Sequence, residues 1–148
     1  MDDSLNVTAL ENVAIVKQFF KYYKKNDIVG LREIFAPDIE WHVPGHHPLA
    51  GTKKGVEEVI AYYKQLQKAN FKAEVIILEG NDNHVIDCHR GWAQVGGQKL
   101  DMSWVLLYTI ENGKITSMQN FPSDQHAADA FFWKVYKLKD IPDRLNNR

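Results

Sequence analysis

The second half of the chain consists of β-rich runs joined by very short turns, and this pattern most limits the possible folds. Four runs are expected, from Phe71 to Glu79, His84 to Val95, Lys99 to Glu111 and Lys114 to Phe121. The residues between them are Gly80-Asn-Asp-Asn83, Gly96-Gly97 and Asn112-Gly113. An Asn-Gly pair between two such runs is the strongest short-range signal of a β-hairpin. Because tight hairpins join antiparallel strands, the sequence predicts a meandering antiparallel sheet.

The first part of the chain has helical periodicity. Thr8-Ala-Leu-Glu11 has the spacing of a capping box and precedes apolar residues at helical intervals, so a helix is predicted from there to about Lys25. Asp27 is placed to cap a shorter helix whose apolar stripe ends at Phe35. Pro37 then forces the chain out of the helix.

A strand, a helix and a last helix complete the predicted elements. The strand runs from Ile39 to Val43, and an amphipathic helix spans about residues 53–67. Ser123 or Asp124 caps the final helix. The tail from 139 to 148 has little apolar content and is expected to fray or to pack on a partner subunit. These elements predict an α+β fold, a cone-shaped, curved and mainly antiparallel sheet wrapped around the N-terminal helices.

Composition limits the partners and the compartment. The chain has 148 residues, which predicts a single domain over 1–148 with its core at about 8–135. Lysine and arginine total 18 against 19 acidic residues, so no nucleic acid partner is expected. No run of apolar residues is long enough to cross a membrane, and no membrane partner is expected. The single cysteine, Cys88, fits a buried apolar position in a cytoplasmic protein.

Four motifs carry a resemblance to a known superfamily. They are Phe35-Ala-Pro-Asp38, Pro44-Gly45-x-x-Pro48-Leu-Ala-Gly51, Asn112-Gly-Lys-Ile115 and Phe121-Pro-Ser-Asp-Gln-His-Ala-Ala-Asp-Ala-Phe-Phe132. With them the chain resembles the nuclear transport factor 2-like superfamily, in its SnoaL-like and ketosteroid-isomerase-like branch. The resemblance covers roughly residues 8–135 and implies a cone with a pocket for a small apolar molecule, no cofactor, and a homodimer. The fold hosts isomerases, cyclases, hydrolases and binders, so it does not by itself specify a reaction.

The resemblance also implies roles for individual residues. The catalytic aspartate of the isomerases falls on His42, which is therefore a candidate base. Their oxyanion-hole tyrosine falls on Phe19, and their protonated aspartic acid falls on Leu106 or, with the hairpin aligned without adjustment, on Val105. None of these three side chains can donate a hydrogen bond. Because losing one such donor costs about a hundredfold or more in rate, steroid isomerisation by that mechanism is not expected.

Strand alternation adds further candidates. With His42 taken as facing inward, Glu40 shares its face. Asp87 and His89 are two residues apart and therefore share a face, where a carboxylate and an imidazole can form an acid–base pair. His42, Asp87 and His89 are thus the catalytic candidates. The candidate ligand-binding residues are Phe19, Tyr23, Glu40, Trp41, His46, His47, Trp104, Leu106, Tyr108, Met118 and Asn120.

The sequence also fits other functions. Imidazole is a common metal ligand, but His42, His46 and His47 have no ligand-spacing motif, so no metal site is expected. The cone can equally hold a small hydrophobic ligand without catalysing a reaction. A third possibility is a dimeric protein-interaction domain, with Trp92 and the opposite sheet face forming the contact. The favoured interpretation is a cofactor-independent acid–base enzyme, an isomerase, cyclase or hydrolase, acting on an apolar carbonyl-containing or related substrate.

Overall fold

A computed structural model describes residues 6–137, which form a curved, unclosed sheet and helices packed on it. The helices are α1 (Val7–Lys25), α2 (Ile28–Ile34), α3 (Val56–Lys68) and α4 (Gln125–Val135). The strands are β1 (Phe35–Val43), β2 (Gly51–Lys54), β3 (Lys72–Gly80), β4 (His84–Val95), β5 (Gln98–Glu111) and β6 (Lys114–Pro122). The sheet order is β2-β1-β6-β5-β4-β3. The predicted α+β class is therefore confirmed, and the predicted fraying of the tail lies outside the described residues.

The meander from β3 to β6 forms as the turn residues predict. Each of these strands pairs antiparallel with the next. At the last turn, Glu111 pairs with Lys114. Asn112 has a φ of 52° and Gly113 a φ of 76°, the two positive values that a type I′ turn requires. Local turn chemistry therefore sets the register of this hairpin.

The edge of the sheet at β1 and β2 differs from the prediction. Strand β1 begins at Phe35 rather than at Ile39, and it pairs in parallel with β6. Residues 51–54, expected as loop and helix start, form β2 instead and pair antiparallel with β1. Helix α3 therefore begins at Val56. A strand of four residues has too few positions for an alternating pattern to be visible in the sequence.

The helix caps agree with the prediction at two of three places. The carboxylates of Asp27 and Asp124 each accept a backbone hydrogen bond in the first turn of α2 and α4, at 2.9 Å. The predicted start of α1 is wrong, because the Asn6 side chain accepts from the Ala9 backbone N–H at 3.0 Å. Thr8 lies inside the helix and does not cap it.

The core lies between the helices and one face of the sheet, which we call the inner face. From α1, Val16 and Phe19 are buried at 0% and 3% exposure. They pack with Leu31, Ile39 and Tyr108, which are also buried. Each such side chain contributes roughly 1.5–3 kcal/mol by leaving water. The inner face is therefore where a ligand site can be enclosed.

The opposite, outer face of the sheet carries apolar side chains at positions that are not covered by helices. Ile77 is 53% exposed, Ile86 is 44% exposed and Phe121 is 50% exposed. The backbone register places Cys88 between Ile77 and Val105, in a row that ends at Phe121. Among the described helices, none is both long and apolar enough to span a bilayer.

Candidate functional site

A cavity of about 70 Å³ lies between the inner face of the sheet and helices α1, α3 and α4. Most of its wall is aromatic. The lining residues are Phe19, Phe20, Tyr23, Trp41, Tyr62, Leu66, Phe71, Lys72, Ala73, His89, Gly91, Trp104, Leu106, Tyr108, Asn120 and Phe132. The exposed residues among them, Lys72 and Ala73, belong to the start of β3. The cavity therefore opens beside this strand.

One polar cluster on the cavity wall is centred on a buried carboxylate. Asp87 has no solvent exposure. Its Oδ2 accepts a hydrogen bond from the Tyr108 hydroxyl at 2.6 Å, and its Oδ1 lies 2.5 Å from His89 Nδ1. Burial first, and then the Asp87 charge and hydrogen bond, hold the pKa of Tyr108 well above its ordinary value. Tyr108 therefore keeps its hydrogen and donates it to the carboxylate.

The same contact fixes the orientation of the imidazole. An ionised carboxylate can only accept, so His89 Nδ1 carries the hydrogen that points to Asp87. The other ring nitrogen, Nε2, has no hydrogen-bond partner among residues 6–137. Because no buried side-chain nitrogen or oxygen in this part of the chain lacks a partner, Nε2 is accessible from the cavity. In neutral His89 this nitrogen is a free base.

A second polar group of the wall lies near β1 and β6. Trp41 Nε1 donates to Asn120 Oδ1 at 2.7 Å. The Tyr62 ring packs edge-on against Trp41, with 4.9 Å between ring centroids. Burial raises the pKa of Tyr62 far above its ordinary value, so its hydroxyl stays protonated.

Tyr23 brings a further hydroxyl to the cavity. It lies one helical turn after Phe19 on α1, and both side chains line the cavity. Burial, followed by the electrostatic effects of Tyr63 and Tyr136, raises the pKa of Tyr23 well above its ordinary value. The hydroxyl is therefore a donor throughout the physiological pH range.

The structure brings together many of the residues that the sequence singles out. The ones on the cavity wall are Phe19, Tyr23, Trp41, His89, Trp104, Leu106, Tyr108 and Asn120. Asp87 lies directly behind the wall and contacts two of them. Met118 is fully buried but does not line the cavity. Phe19 and Leu106 offer the cavity no hydrogen-bonding group, as the sequence indicates.

The expectation that His42 and Glu40 face the cavity is wrong. On β1 it is Ile39, Trp41 and Val43 that are buried, so alternation directs residues 40 and 42 to the other face. The His42 side chain is 32% exposed, and its Nδ1 lies 2.9 Å from the Thr52 hydroxyl oxygen. His42 is therefore not positioned to act on a ligand in the cavity.

His46 and His47 also lie away from the cavity wall. His46 is exposed, and its backbone carbonyl accepts from the Trp133 indole at 2.6 Å. His47 is buried and stacks on Phe132, with 4.4 Å between ring centroids. Its Nδ1 accepts the Leu49 backbone N–H at 3.1 Å. Burial lowers the pKa of His47 to about 4, so this imidazole is a neutral part of the core.

Several lining residues were not among the candidates from the sequence. They are Phe20, Tyr62, Leu66, Phe71, Lys72, Ala73, Gly91 and Phe132. Tyr62 is the most consequential, because it is the polar one that lies buried. Its neighbour Tyr63 belongs to the apolar stripe of α3, so helical periodicity favours Tyr63 over Tyr62 as the inward residue. Within residues 6–137, no three histidine, cysteine or acidic side chains are grouped as metal ligands would be.

Comparisons with known proteins agree with the fold. The chain matches the SnoaL-like domain family over residues 16–118. It is 33% identical over 122 residues to an uncharacterised protein of Mycobacterium tuberculosis, a match that covers 80% of this chain and 93% of that protein.

Solved structures show the same similarity. Bal32a, from a soil-derived mobile gene cassette, is 28% identical, with a TM-score of 0.81 and coverage of 84% of this chain and 98% of that one. An NTF2-like protein from Burkholderia xenovorans LB400 is 27% identical, with a TM-score of 0.73 and coverage of 84% and 97%. The chain therefore belongs to the SnoaL-like domain family, within the nuclear transport factor 2-like superfamily.

Proposed function

We propose that this SnoaL-like protein binds a small planar carbonyl compound in the cavity and catalyses proton transfer on it, with His89 as the general base. The observation that carries the proposal is the contact between Asp87 and His89. A fully buried carboxylate holds Nδ1 at 2.5 Å, while Nε2 remains accessible from the cavity. This arrangement fixes the tautomer and stabilises the imidazolium that forms when Nε2 takes a proton.

The proposed step needs no cofactor. Nε2 of His89 takes a proton from the carbon next to the carbonyl, and the C–H electron pair forms the C=C bond of an enolate. The negative charge moves to the carbonyl oxygen. The imidazolium, paired with Asp87, then returns the proton to the same carbon or to another carbon of the conjugated system, so atoms and charge balance. Solvent exchange at the imidazolium makes this step observable as isotope incorporation.

The size and composition of the cavity support a small, mostly apolar ligand. Sites for drug-sized ligands enclose roughly 300–1,000 Å³. The cavity here is about 70 Å³ and its wall is largely aromatic. A compound with one planar ring or a short conjugated chain suits these dimensions better than a large polycyclic one.

The experiment that tests the proposal is hydrogen–deuterium exchange followed by proton NMR. Small conjugated and aromatic ketones are incubated in D₂O with the protein, and the loss of signal from the hydrogens next to the carbonyl is timed. The wild type is expected to accelerate exchange for at least one compound. The His89→Gln variant is expected to lose at least a hundredfold of that acceleration, since general-base catalysis contributes about 10²–10⁴-fold.

The matched control is His42→Gln, because His42 lies on the other face of the sheet and is hydrogen-bonded to Thr52. This variant is expected to keep the wild-type rate. Equal rates for the wild type and His89→Gln would contradict the assigned base. Binding without any accelerated exchange would instead support the second candidate, a non-catalytic binder, which the narrow aromatic cavity favours.

We also infer that two copies of the chain pair through the outer face. The row formed by Ile77, Cys88, Val105 and Phe121 crosses four adjacent strands. Apolar patches of this kind on a protein surface mark interaction sites. Trp92, considered as a contact residue from the sequence, lies on the same face and is covered by the Arg90 guanidinium at 4.2 Å from the ring centroid. The apolar row is therefore the better candidate for the centre of the contact.

A further inference from the structure

We propose that the hydroxyl of Tyr62, whose ring packs against Trp41, donates a hydrogen bond to the oxygen of the ligand. The cavity therefore selects planar compounds that carry an oxygen able to become negative, such as an enolate or a phenolate. This inference rests on the proposed use of the cavity as the ligand site, but it does not depend on catalysis.

The direction of the hydrogen bonds in this group follows from the indole. A tryptophan N–H can only donate, so the side-chain atom of Asn120 that lies 2.7 Å from Trp41 Nε1 is its oxygen. The Asn120 amide group is then left with its two hydrogens. Among residues 6–137, no hydrogen bond joins this amide or any other group to the Tyr62 hydroxyl.

The hydrogen of the Tyr62 hydroxyl is consequently available. The Tyr62 side chain is 2% exposed, yet its hydroxyl has no acceptor among residues 6–137. Because no buried side-chain oxygen in this part of the chain lacks a partner, the Tyr62 oxygen is accessible from the cavity. Tyr62 lines the cavity, so a ligand oxygen there supplies the missing acceptor.

The sheet register gives the position of this donor relative to the base. Asn120 pairs with Leu106, and Leu106 pairs with Asp87. With adjacent strands roughly 5 Å apart, the backbones of Asn120 and Asp87 are about 10 Å apart, and both side chains lie on the inner side of the sheet. Tyr62 and His89 thus approach the cavity from two sides. One planar ligand can present an oxygen to the first and a C–H to the second.

Tyr23 is placed to be a second donor to the same oxygen. Its hydroxyl has no hydrogen-bond partner in the described part of the chain, and its side chain lines the cavity with Tyr62. Two neutral donors at one place favour an anionic oxygen over a neutral one, because hydrogen bonds to charged groups are stronger.

The test is equilibrium binding of 4-nitrophenol. Its ionised form absorbs visible light, and this absorbance changes when the phenolate leaves water for the cavity. The titration is performed with the wild type and with Tyr62→Phe, at a pH at which the free phenol is ionised. A hydrogen bond to a charged group predicts that Kd for the phenolate rises about tenfold to a hundredfold in Tyr62→Phe. Nitrobenzene, which has the ring but no hydroxyl, is expected to bind both proteins equally.

The matched control is Tyr63→Phe. The single hydrogen of the Tyr63 hydroxyl is shared between the Tyr23 carbonyl oxygen at 3.1 Å and Asn26 Oδ1 at 2.9 Å, so this hydroxyl does not face the ligand. This variant is expected to bind 4-nitrophenolate with the wild-type Kd. Circular dichroism of each variant verifies that it is folded.

The outcomes separate this inference from the proposed function. Unchanged phenolate binding in Tyr62→Phe, or no phenolate binding by the wild type, would overturn the assignment of Tyr62. Loss of exchange activity in His89→Gln would still support the proposed base in that case. The opposite result is weaker phenolate binding in Tyr62→Phe together with no exchange activity in the wild type. It would support the assignment of Tyr62 as a donor and contradict the proposed catalysis.

Discussion

His89 and Asp87, two residues apart on β4, lie with Nδ1 of the imidazole 2.5 Å from Oδ1 of the carboxylate. The Asp87 side chain is fully buried and that of His89 is 12% exposed. A carboxylate in such a place requires compensation, because burying a charge without partners is costly. The second partner, Tyr108, is therefore as important to the fold as it is to the site.

Replacing Tyr108 by phenylalanine tests this compensation. The substitution removes the donor that lies 2.6 Å from Asp87 Oδ2 and leaves the carboxylate with one partner. Because a hydrogen bond to a charged group contributes about 1.5–3 kcal/mol, the free energy of unfolding should fall by about that amount. Urea denaturation of the wild type and of Tyr108→Phe measures the difference.

The control for this measurement is Tyr63→Phe. Its hydroxyl also donates a hydrogen bond inside the protein, but the acceptors are the neutral carbonyl oxygens of Tyr23 and Asn26. A smaller loss, about 0.5–1.5 kcal/mol, is expected there. If Tyr108→Phe cost no more than Tyr63→Phe, the hydrogen bond from Tyr108 would not compensate the burial of the Asp87 carboxylate.

His47 predicts a dependence of stability on pH. Burial lowers its pKa in the folded protein to about 4, against an ordinary value of 6.5. Between these values the unfolded chain binds a proton that the native protein does not bind, so the free energy of unfolding falls as the pH decreases from 6.5 to about 4. The total loss is on the order of 3 kcal/mol, and stability from this source is fully present above the upper value.

Urea denaturation across that pH range measures the loss. In His47→Asn the side-chain oxygen can still accept the Leu49 backbone N–H, but the titrating group is gone, so the dependence on pH should become flatter. His46→Asn is the matched control, since the neighbouring imidazole is exposed and should leave the wild-type dependence intact. The same slope in the wild type and in His47→Asn would contradict the assignment.

The fold was predictable where local chemistry decides it. The Asn112-Gly113 turn and the Gly96-Gly97 turn set the hairpins, and the structure has both. Orientation on β1 was not predictable in this way. Alternation separates Trp41 from His42 but does not say which of them faces inward. That choice depends on tertiary packing, here the contact of Trp41 with residues of α1 and α3.

Part of the candidate site was also predictable, because local sequence patterns decide it. The spacing of Asp87 and His89 on one strand places them on one face, and the structure brings them into contact. The contact with Tyr108 follows from register, because Tyr108 pairs with Val85 and is thus a diagonal neighbour of Asp87. The role of Tyr62 depends on how α3 is rotated against the sheet. The periodicity of the sequence does not determine the rotation of α3 about its axis to within one residue.

The cavity wall has no room for a side chain larger than hydrogen at Gly91. A Cβ atom at this position would lie 2.8 Å from the Trp104 indole, closer than real contacts allow. Gly91→Ala should therefore push the indole toward the cavity, lower the free energy of unfolding by about 1–3 kcal/mol and weaken ligand binding. Near-UV circular dichroism and thermal denaturation detect the first two effects, and titration with nitrobenzene detects the third.

Gly97→Ala is the control for Gly91→Ala. Gly97 lies in the turn between β4 and β5, where an added Cβ would meet no atom within 4 Å. This variant should keep the wild-type spectrum and binding. Equal stability and ligand binding of the two variants would contradict this prediction. The Trp104 indole would then move aside without a measurable loss of free energy.

The apolar row on the outer face predicts a dimer that one charge can disrupt. Val105 lies inside the row, between Cys88 and Phe121. In Val105→Lys, pairing of two copies would bring two ammonium groups into an apolar contact, which costs desolvation and repulsion, so Kd for the dimer should rise at least a hundredfold. Val29→Lys is the matched control, because Val29 is 70% exposed on α2, away from the sheet. Sedimentation velocity over a range of concentrations measures both variants. A wild type that stays monomeric, or a Val105→Lys variant that dimerises like it, would show that the outer face does not join two copies.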